Sequence, residues 1–296
     1  MPTVTVHVLD SDADKHARAL GLLVPQAITT RHQVFEGLEC VGGWSPQILA
    51  EKTSGQCAVL LSGCSDTPIL TYSFNDQGIE KRPEDFARFD NRYTRASLEM
   101  RQIIENLVDE NPAQTAQNIV THTASLFDYG HPDERFNDGH DEVPVIACGT
   151  AKGSCIDINT YLISAMRVAG IPTVYFAGYF FPEERGGLTN DMHCWVATWM
   201  EDDGTGGHWQ EWDIAHHMKM GLGPEEVCPA YNPKPGVRQA ITYGRGLRFD
   251  VNGFELTLSH LSEPMWVYPD GRTEKAKIKA HYADEVSPTA TSAVAS

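Results

Sequence analysis

Gly153-Ser154-Cys155 opens the run IDINTYLISAMRVAG, in which Ile158, Tyr161, Leu162, Ala165, Met166 and Ala169 form one apolar stripe at helical spacing. Gly170 stands where a C-terminal cap belongs, and Ile171-Pro172 cannot continue the helix. Cys155 is therefore placed at or beside a helix N-terminus. Free backbone N–H groups and the positive end of the helix dipole favour a thiolate there, which predicts a pKa below the usual value of about 8.5. The same N–H groups can hold a developing oxyanion. Taken alone, a buried helix-start cysteine without chemistry is the commoner reading.

An apolar strand, Thr173–Phe180, follows the helix, and after a Gly-rich loop comes His193-Cys194-Trp195-Val196-Ala197-Thr198-Trp199. Period two puts His193, Trp195, Ala197 and Trp199 on one face. The stretch EDDGTGG (201–207) reads as a turn, and HWQEWD (208–213) as the return strand. If Asp213 pairs with Trp195, it shares the face of His193 as a diagonal neighbour and can hold the imidazole in one tautomer. A register shifted by one residue would separate them. Each alone has a bland account, a core histidine and a solvated aspartate. Together, Cys155, His193 and Asp213 form a nucleophile, a base and an orienting carboxylate.

The ordered set GTAKGSCIDINTYLISAMRVAGIPTVYFAGYF, DMHCWVATW and WQEWDIAH resembles the transglutaminase-like superfamily of papain-type thiol enzymes, in a bacterial-type form. Its elements are Gly153, Cys155, Arg167, Gly170-Ile171-Pro172, Gly178-Tyr179, His193, Trp195 and Asp213. The resemblance covers roughly residues 98–223. It implies acyl transfer: Cys155 attacks a carboxamide, peptide or thioester carbonyl, His193 moves the proton, and Asp213 orients His193. Hydrolysis is the first expectation, as in a cysteine protease or amidase, and transfer to an amine the alternative. A catalytically silent binding module of the same fold is a third reading, since fold does not grant activity. Animal transglutaminases place a Trp upstream of the nucleophile, whereas the sole Trp before Cys155 is Trp44, in the amino-terminal region. Their acidic calcium loops are not found here either.

The backbone N–H of Cys155 is one oxyanion donor; Ser154, Trp195, His131 and His140 are the candidates for substrate contact or for completing the oxyanion hole. Cys194 is expected to be a packed core thiol on the face opposite His193, and Cys148 to lie near the site or simply be buried. His208, His216 and His217 with Asp213 could suggest a metal cluster, but adjacent histidines on an extended chain diverge. No metal and no cofactor is expected. Asp213→Asn is expected to keep the fold and to lower turnover by about 10²–10⁴-fold.

These residues must be positioned by larger elements. Residues 1–92 read as an antiparallel β-domain, with Val4, Val6 and Val8 alternating and short β-rich runs at 31–40, 57–62 and 68–74. The charged segment 81–95 (KRPEDFARFDNRYTR) reads as a linker. Helical spacing begins near Ala96 and recurs over 113–126, and 128–152 is a long irregular loop. The fold class is α+β: a papain-like, transglutaminase-like core over 93–283, its nucleophile helix packed on an antiparallel sheet. The last stretch, 284–296, reads as a disordered tail.

The chain has 296 residues, 41% of them hydrophobic, enough to bury a sizeable core. With 23 basic and 40 acidic residues the net charge is −17, and no basic stripe offers a footprint for nucleic acid. No stretch approaches the ~20 apolar residues of a membrane span, and the start MPTVTVHVLDSDADKH lacks the pattern of a secretory signal. The seven cysteines form no close CxxC pair, so free thiols and a cytoplasmic setting are expected. The partner is a peptide, protein or small amide or thioester substrate.

Overall fold

The computed structural model of the chain describes residues 1–10, 18–63, 67–202 and 206–284. The amino-terminal strands are β1 (Pro2–Val8), β2 (Gly21–Pro25), β3 (Val34–Val41), β4 (Ser45–Ala50), β5 (Cys57–Ser62) and β6 (Ile69–Asn75). Next come α1 (Leu98–Glu105), α2 (Pro112–Ser125), β7 (Phe127–Tyr129), β8 (Ala151–Gly153) and α3 (Cys155–Val168). The sheet that bears the candidate residues is built from β9 (Thr173–Pro182), β11 (Met192–Asp202), β12 (Gly206–Trp212) and β13 (Gly236–Tyr243); short β10 (Leu188–Thr189) and α4 (Ile214–Lys219) lie between them in sequence. The chain closes with β14 (Leu247–Val251), β15 (Phe254–Leu258), β16 (Met265–Val267), β17 (Thr273–Lys275) and β18 (Ile278–Asp284). No described helix is long and apolar enough to cross a membrane.

The four-stranded sheet runs in the order β12-β11-β9-β13, all antiparallel, with every residue of β9 buried. One face packs on α3 through Ile158, Leu162, Ala165 and Met166 against Tyr175, Ala177, Cys194 and Val196. The other face carries Val174, Phe176, Trp195 and Ala197, covered by Leu23 and Leu60 of the amino-terminal region and by the β14–β15 hairpin. α3 ends as its sequence requires. The N–H of Ile171 reaches the carbonyl of Met166 at 3.0 Å, that of Gly170 reaches Arg167 at 3.2 Å, and Gly170 takes φ +77°. This is the paired closure that a left-handed glycine permits.

The mixed α+β class and the nucleophile helix on an antiparallel sheet agree with the sequence reading. The domain boundaries do not follow the strand pairing. β18 pairs with β1 along its length, and β16 with β2, so residues 265–284, with β10 at the edge of one, complete the two five-stranded sheets begun by residues 1–92. Pairing across such a separation leaves no trace in local periodicity. Asp284, the first residue of the expected tail, ends β18, and 285–296 lie outside the described residues. Segment 81–95 is no loose linker either. Trp209 donates to the Lys81 carbonyl at 2.6 Å, Phe86 sets its ring edge-on to Phe176, Trp209 and Tyr243, and Phe89 is buried.

Candidate active site

Cys155 is the first residue of α3 and is 6% exposed. Ser154 precedes it as the N-cap. Asp157 reaches back to accept from the Ser154 N–H at 2.9 Å and from its hydroxyl at 2.7 Å, and Arg135 of the long loop closes on the same oxygen at 3.0 Å. The Cys155 N–H belongs to the first turn, outside the i→i−4 ladder, and remains available to an oxyanion. The Ser154 side chain is committed to Asp157 and Arg135, so it is a cap rather than a substrate contact.

β11 and β12 pair Val196 with Trp212 and Trp199 with Trp209, the register that brings Asp213 opposite Trp195. His193 Nε2 lies 2.8 Å from Asp213 Oδ2, which leaves Nδ1 as the ring nitrogen for Cys155. Asp213 is fixed by more than its strand. It is the N-cap of α4, where Oδ1 accepts from the His216 N–H at 3.0 Å. Its Oδ2 also accepts from Arg238 Nη2 and lies 2.8 Å from His216 Nδ1. His193 and His216 stack nearly parallel, 7° apart with centroids at 4.0 Å, and Phe180 covers His216 at 4.4 Å. Arg238 is fully buried, its guanidinium 5.1 Å from the Trp195 ring, 5.6 Å from Tyr231 and 5.9 Å from Phe180.

Burial would raise the Asp213 carboxyl, but Arg238, then His193 and His216, hold it well below the usual carboxylate range. Burial would lower the His193 imidazolium, yet the charge and hydrogen bond of Asp213, with Cys155 beside it, raise it above its usual 6.5. His216 is driven down to about 4, chiefly by burial and then by His193, so it is neutral at pH 7. The expectation of a depressed Cys155 thiol is corrected. Contact with Cys194, then burial, push it well above its usual value, and His193 offsets this only in part. Cys194 does face away from His193, but that face is the α3 face, where Asn159 donates to its sulfur at 3.4 Å. Sequence spacing gave no warning that the second thiol would adjoin the first.

Of the remaining candidates, Trp195 is buried on the His193 face, its ring centroid 6.5 Å from the imidazole. His131 is exposed and meets Tyr129 edge-on at 5.8 Å; Tyr129 is near enough to Cys155 that the sulfur helps, after burial, to raise its phenol. His140 is exposed in the loop, and Cys148 is likewise exposed. His216 and His217 lie on α4 rather than on the extended chain expected, His217 reaching the Asp213 carbonyl at 2.9 Å while His216 reaches the Asp213 carboxylate. His193, Asp213 and His216 do bring three possible ligand atoms within 4.8 Å of one another. Arg238 already occupies the oxygen a cation would need, so the donor set suits a guanidinium rather than a metal ion. Arg238 and the role of His216 escaped sequence reasoning. The signal was a lone arginine inside the otherwise strand-like GVRQAITY.

Residues 101–214 match the model of the transglutaminase-like superfamily. No curated protein matches the chain. Among solved structures, a candidate cysteine protease from Cytophaga hutchinsonii is 13% identical, with 95% of this chain and 97% of that one covered and a TM-score of 0.45. The periplasmic domain of TgpA from Pseudomonas aeruginosa is 14% identical, covering 76% and 92%, with a TM-score of 0.35. Red sea bream transglutaminase is 13% identical, covering 88% and 57%, with a TM-score of 0.30. The segment similar to the transglutaminase-like superfamily, residues 101–214, contains Cys155, His193 and Asp213.

Proposed function

We propose that the protein is a cysteine-dependent hydrolase that cleaves an amide or peptide bond through an acyl-enzyme on Cys155. The observation that carries this reading is the alignment of Cys155 at the start of α3 with His193, whose Nε2 is 2.8 Å from Asp213. Cys155 rests as a thiol. As its sulfur attacks the carbonyl carbon, His193 takes the thiol proton at Nδ1 and Asp213 offsets the imidazolium charge. The Cys155 N–H holds the developing oxyanion. His193 then gives its proton to the leaving nitrogen. In the second half water adds to the thioester, loses its proton to His193, and frees the acid and the thiol.

Transfer of the acyl group to an amine is the second reading, favoured by the burial of Cys155, because a site short of water spares the thioester from hydrolysis. A cytoplasmic location belongs to the same proposal and is supported by the free state of the six described cysteines. Iodoacetamide tests the chemistry. The expected result is that Cys155, although buried and resting as a thiol, is alkylated at pH 7 because His193 takes its proton as the sulfur attacks, and that His193→Ala lowers this rate. A Cys155 rate unaffected by that substitution, or no faster than that of buried Cys194, would favour the silent binding module. Incubating the acyl-enzyme with methylamine then separates the two readings by the mass of the released product.

A further inference from the structure

Arg167 stands in the last turn of α3, at the opposite end of that helix from Cys155. Beside it a cleft of about 380 Å³ is lined by Arg88, Arg95, Arg101 and Arg167, with Asp90 as its sole acidic lining residue. In a chain with 40 acidic residues against 23 basic ones, four guanidinium groups around one carboxylate reverse the overall balance. The carbonyl end of α3 accounts for one cation. Arg167 donates to the Phe89 carbonyl, Arg95 reaches Asp90 at 3.4 Å, and Arg101 uses its Nε on the Ala96 carbonyl at 3.1 Å. Each keeps further donors. Arg88 has no hydrogen bond or ion pair among the described residues. It lies close enough to Arg167 that, after burial, its charge helps lower that guanidinium to about 10.

Solvated arginines normally spread apart; here Arg88 and Arg167 adjoin, and Asp90 offsets their charges only in part. A neighbouring cavity of about 300 Å³ shares these two residues and adds Phe86, Trp209 and Pro172 as walls. The charged basin thus continues into a partly aromatic one. We propose that this cleft is a binding site for a small phosphate-bearing ligand, its oxygens held by Arg88, Arg95, Arg101 and Arg167 and its apolar part lodged against Phe86 and Trp209. The guanidinium fork matches two oxygens of one phosphate, which a chloride ion cannot offer.

Calorimetric titration of the full chain with inorganic phosphate, pyrophosphate and citrate, at an ionic strength fixed with sodium chloride, tests this. Saturable binding of phosphate or pyrophosphate is expected, weakened roughly tenfold in Arg88→Ala and further in Arg88→Ala/Arg95→Ala. Both side chains are exposed, so the variants should fold, which circular dichroism checks. Saturable binding of citrate alone would overturn the phosphate assignment in favour of a polycarboxylate. Heats that follow ionic strength only, or binding unchanged in the double variant, would overturn the site altogether. Cys155→Ala should bind as the parent does, so the outcome is independent of the acyl-transfer proposal.

Discussion

Asp213 serves four groups with two oxygens, and that sharing changes what its substitution should do. Asparagine there would disturb the His193 tautomer and, in addition, strand the fully buried Arg238 without a counter-charge. Removing one partner of a buried pair typically costs about 3–5 kcal/mol. Asp213→Asn is therefore expected to lose stability as well as turnover, against the sequence expectation of an intact fold. The double variant Asp213→Asn/Arg238→Met should regain stability in urea melts while turnover stays low. His216 gives a pH signature. Unfolded, its imidazole takes a proton near 6.5; folded, only near 4, because of burial and the neighbouring His193. Its contribution to stability is complete above pH 6.5 and is lost as pH falls toward 4, by an amount of order 3 kcal/mol. His193, raised in the folded state, contributes fully below 6.5 and adds no slope in that window. Urea unfolding from pH 7 to 4.5 should thus show a shallower decline in His216→Asn, with a remainder from half-buried His260, which is also held low.

At the scale of elements, Gly178 shows how closely the sheet is fitted around the site. It pairs with His193 on one side and Ala240 on the other, where β13 shifts register. A Cβ added to Gly178 would stand 2.0 Å from the Gln239 carbonyl oxygen, which belongs to backbone and must move as a whole. Gly178→Ala is expected to cost about 1–3 kcal/mol or more in denaturant melts and to slow Cys155 alkylation, since Arg238, which holds Asp213, rides on the displaced strand. The three longer helices, β11, β12 and their common face were legible because each follows from local period, 3.6 for α3 and two for His193 and Trp195, whereas short α4 was read as extended chain. The Gly170 stop was legible because its chemistry is local. What stayed hidden is made by contacts between elements distant in sequence. Arg238 reaches Asp213 from a strand beyond α4, Cys194 meets Cys155 across the helix–sheet interface, and Glu211 on β12 is held by Arg31 and His32 at 3.2 and 2.7 Å.

At the scale of the molecule, the amino-terminal sheets and the core sheet share their filling. Tyr179 and Phe181 of β9 and Ile241 of β13 pack with Val4, Val6, Tyr72 and Trp266. The core keeps a filling of its own between α3 and its sheet, but the amino-terminal sheets have none apart from the core strands. Scanning calorimetry is expected to show one transition, and Trp266→Ala, at a site 1% exposed and bonded to Asp10 at 2.8 Å, should lower it by about 3–5 kcal/mol without splitting it. Two resolved transitions would mean that the sheets are held together less tightly than they pack.

The pairing of Pro2 with Asp284 also fixes how the protein answers a mechanical load. Antiparallel neighbours grasped at the same end come apart like a zipper, one rung at a time, because the pull runs along each hydrogen bond in turn rather than across all of them together. A force applied at Pro2 and Asp284 would peel β18 from β1 first and meet little resistance, while β9 and β11, deep in the interior, would carry no tension until both sheets had opened. Tethered through these two residues the molecule should yield softly; tethered through residues at opposite ends of β1 and β18 it should hold.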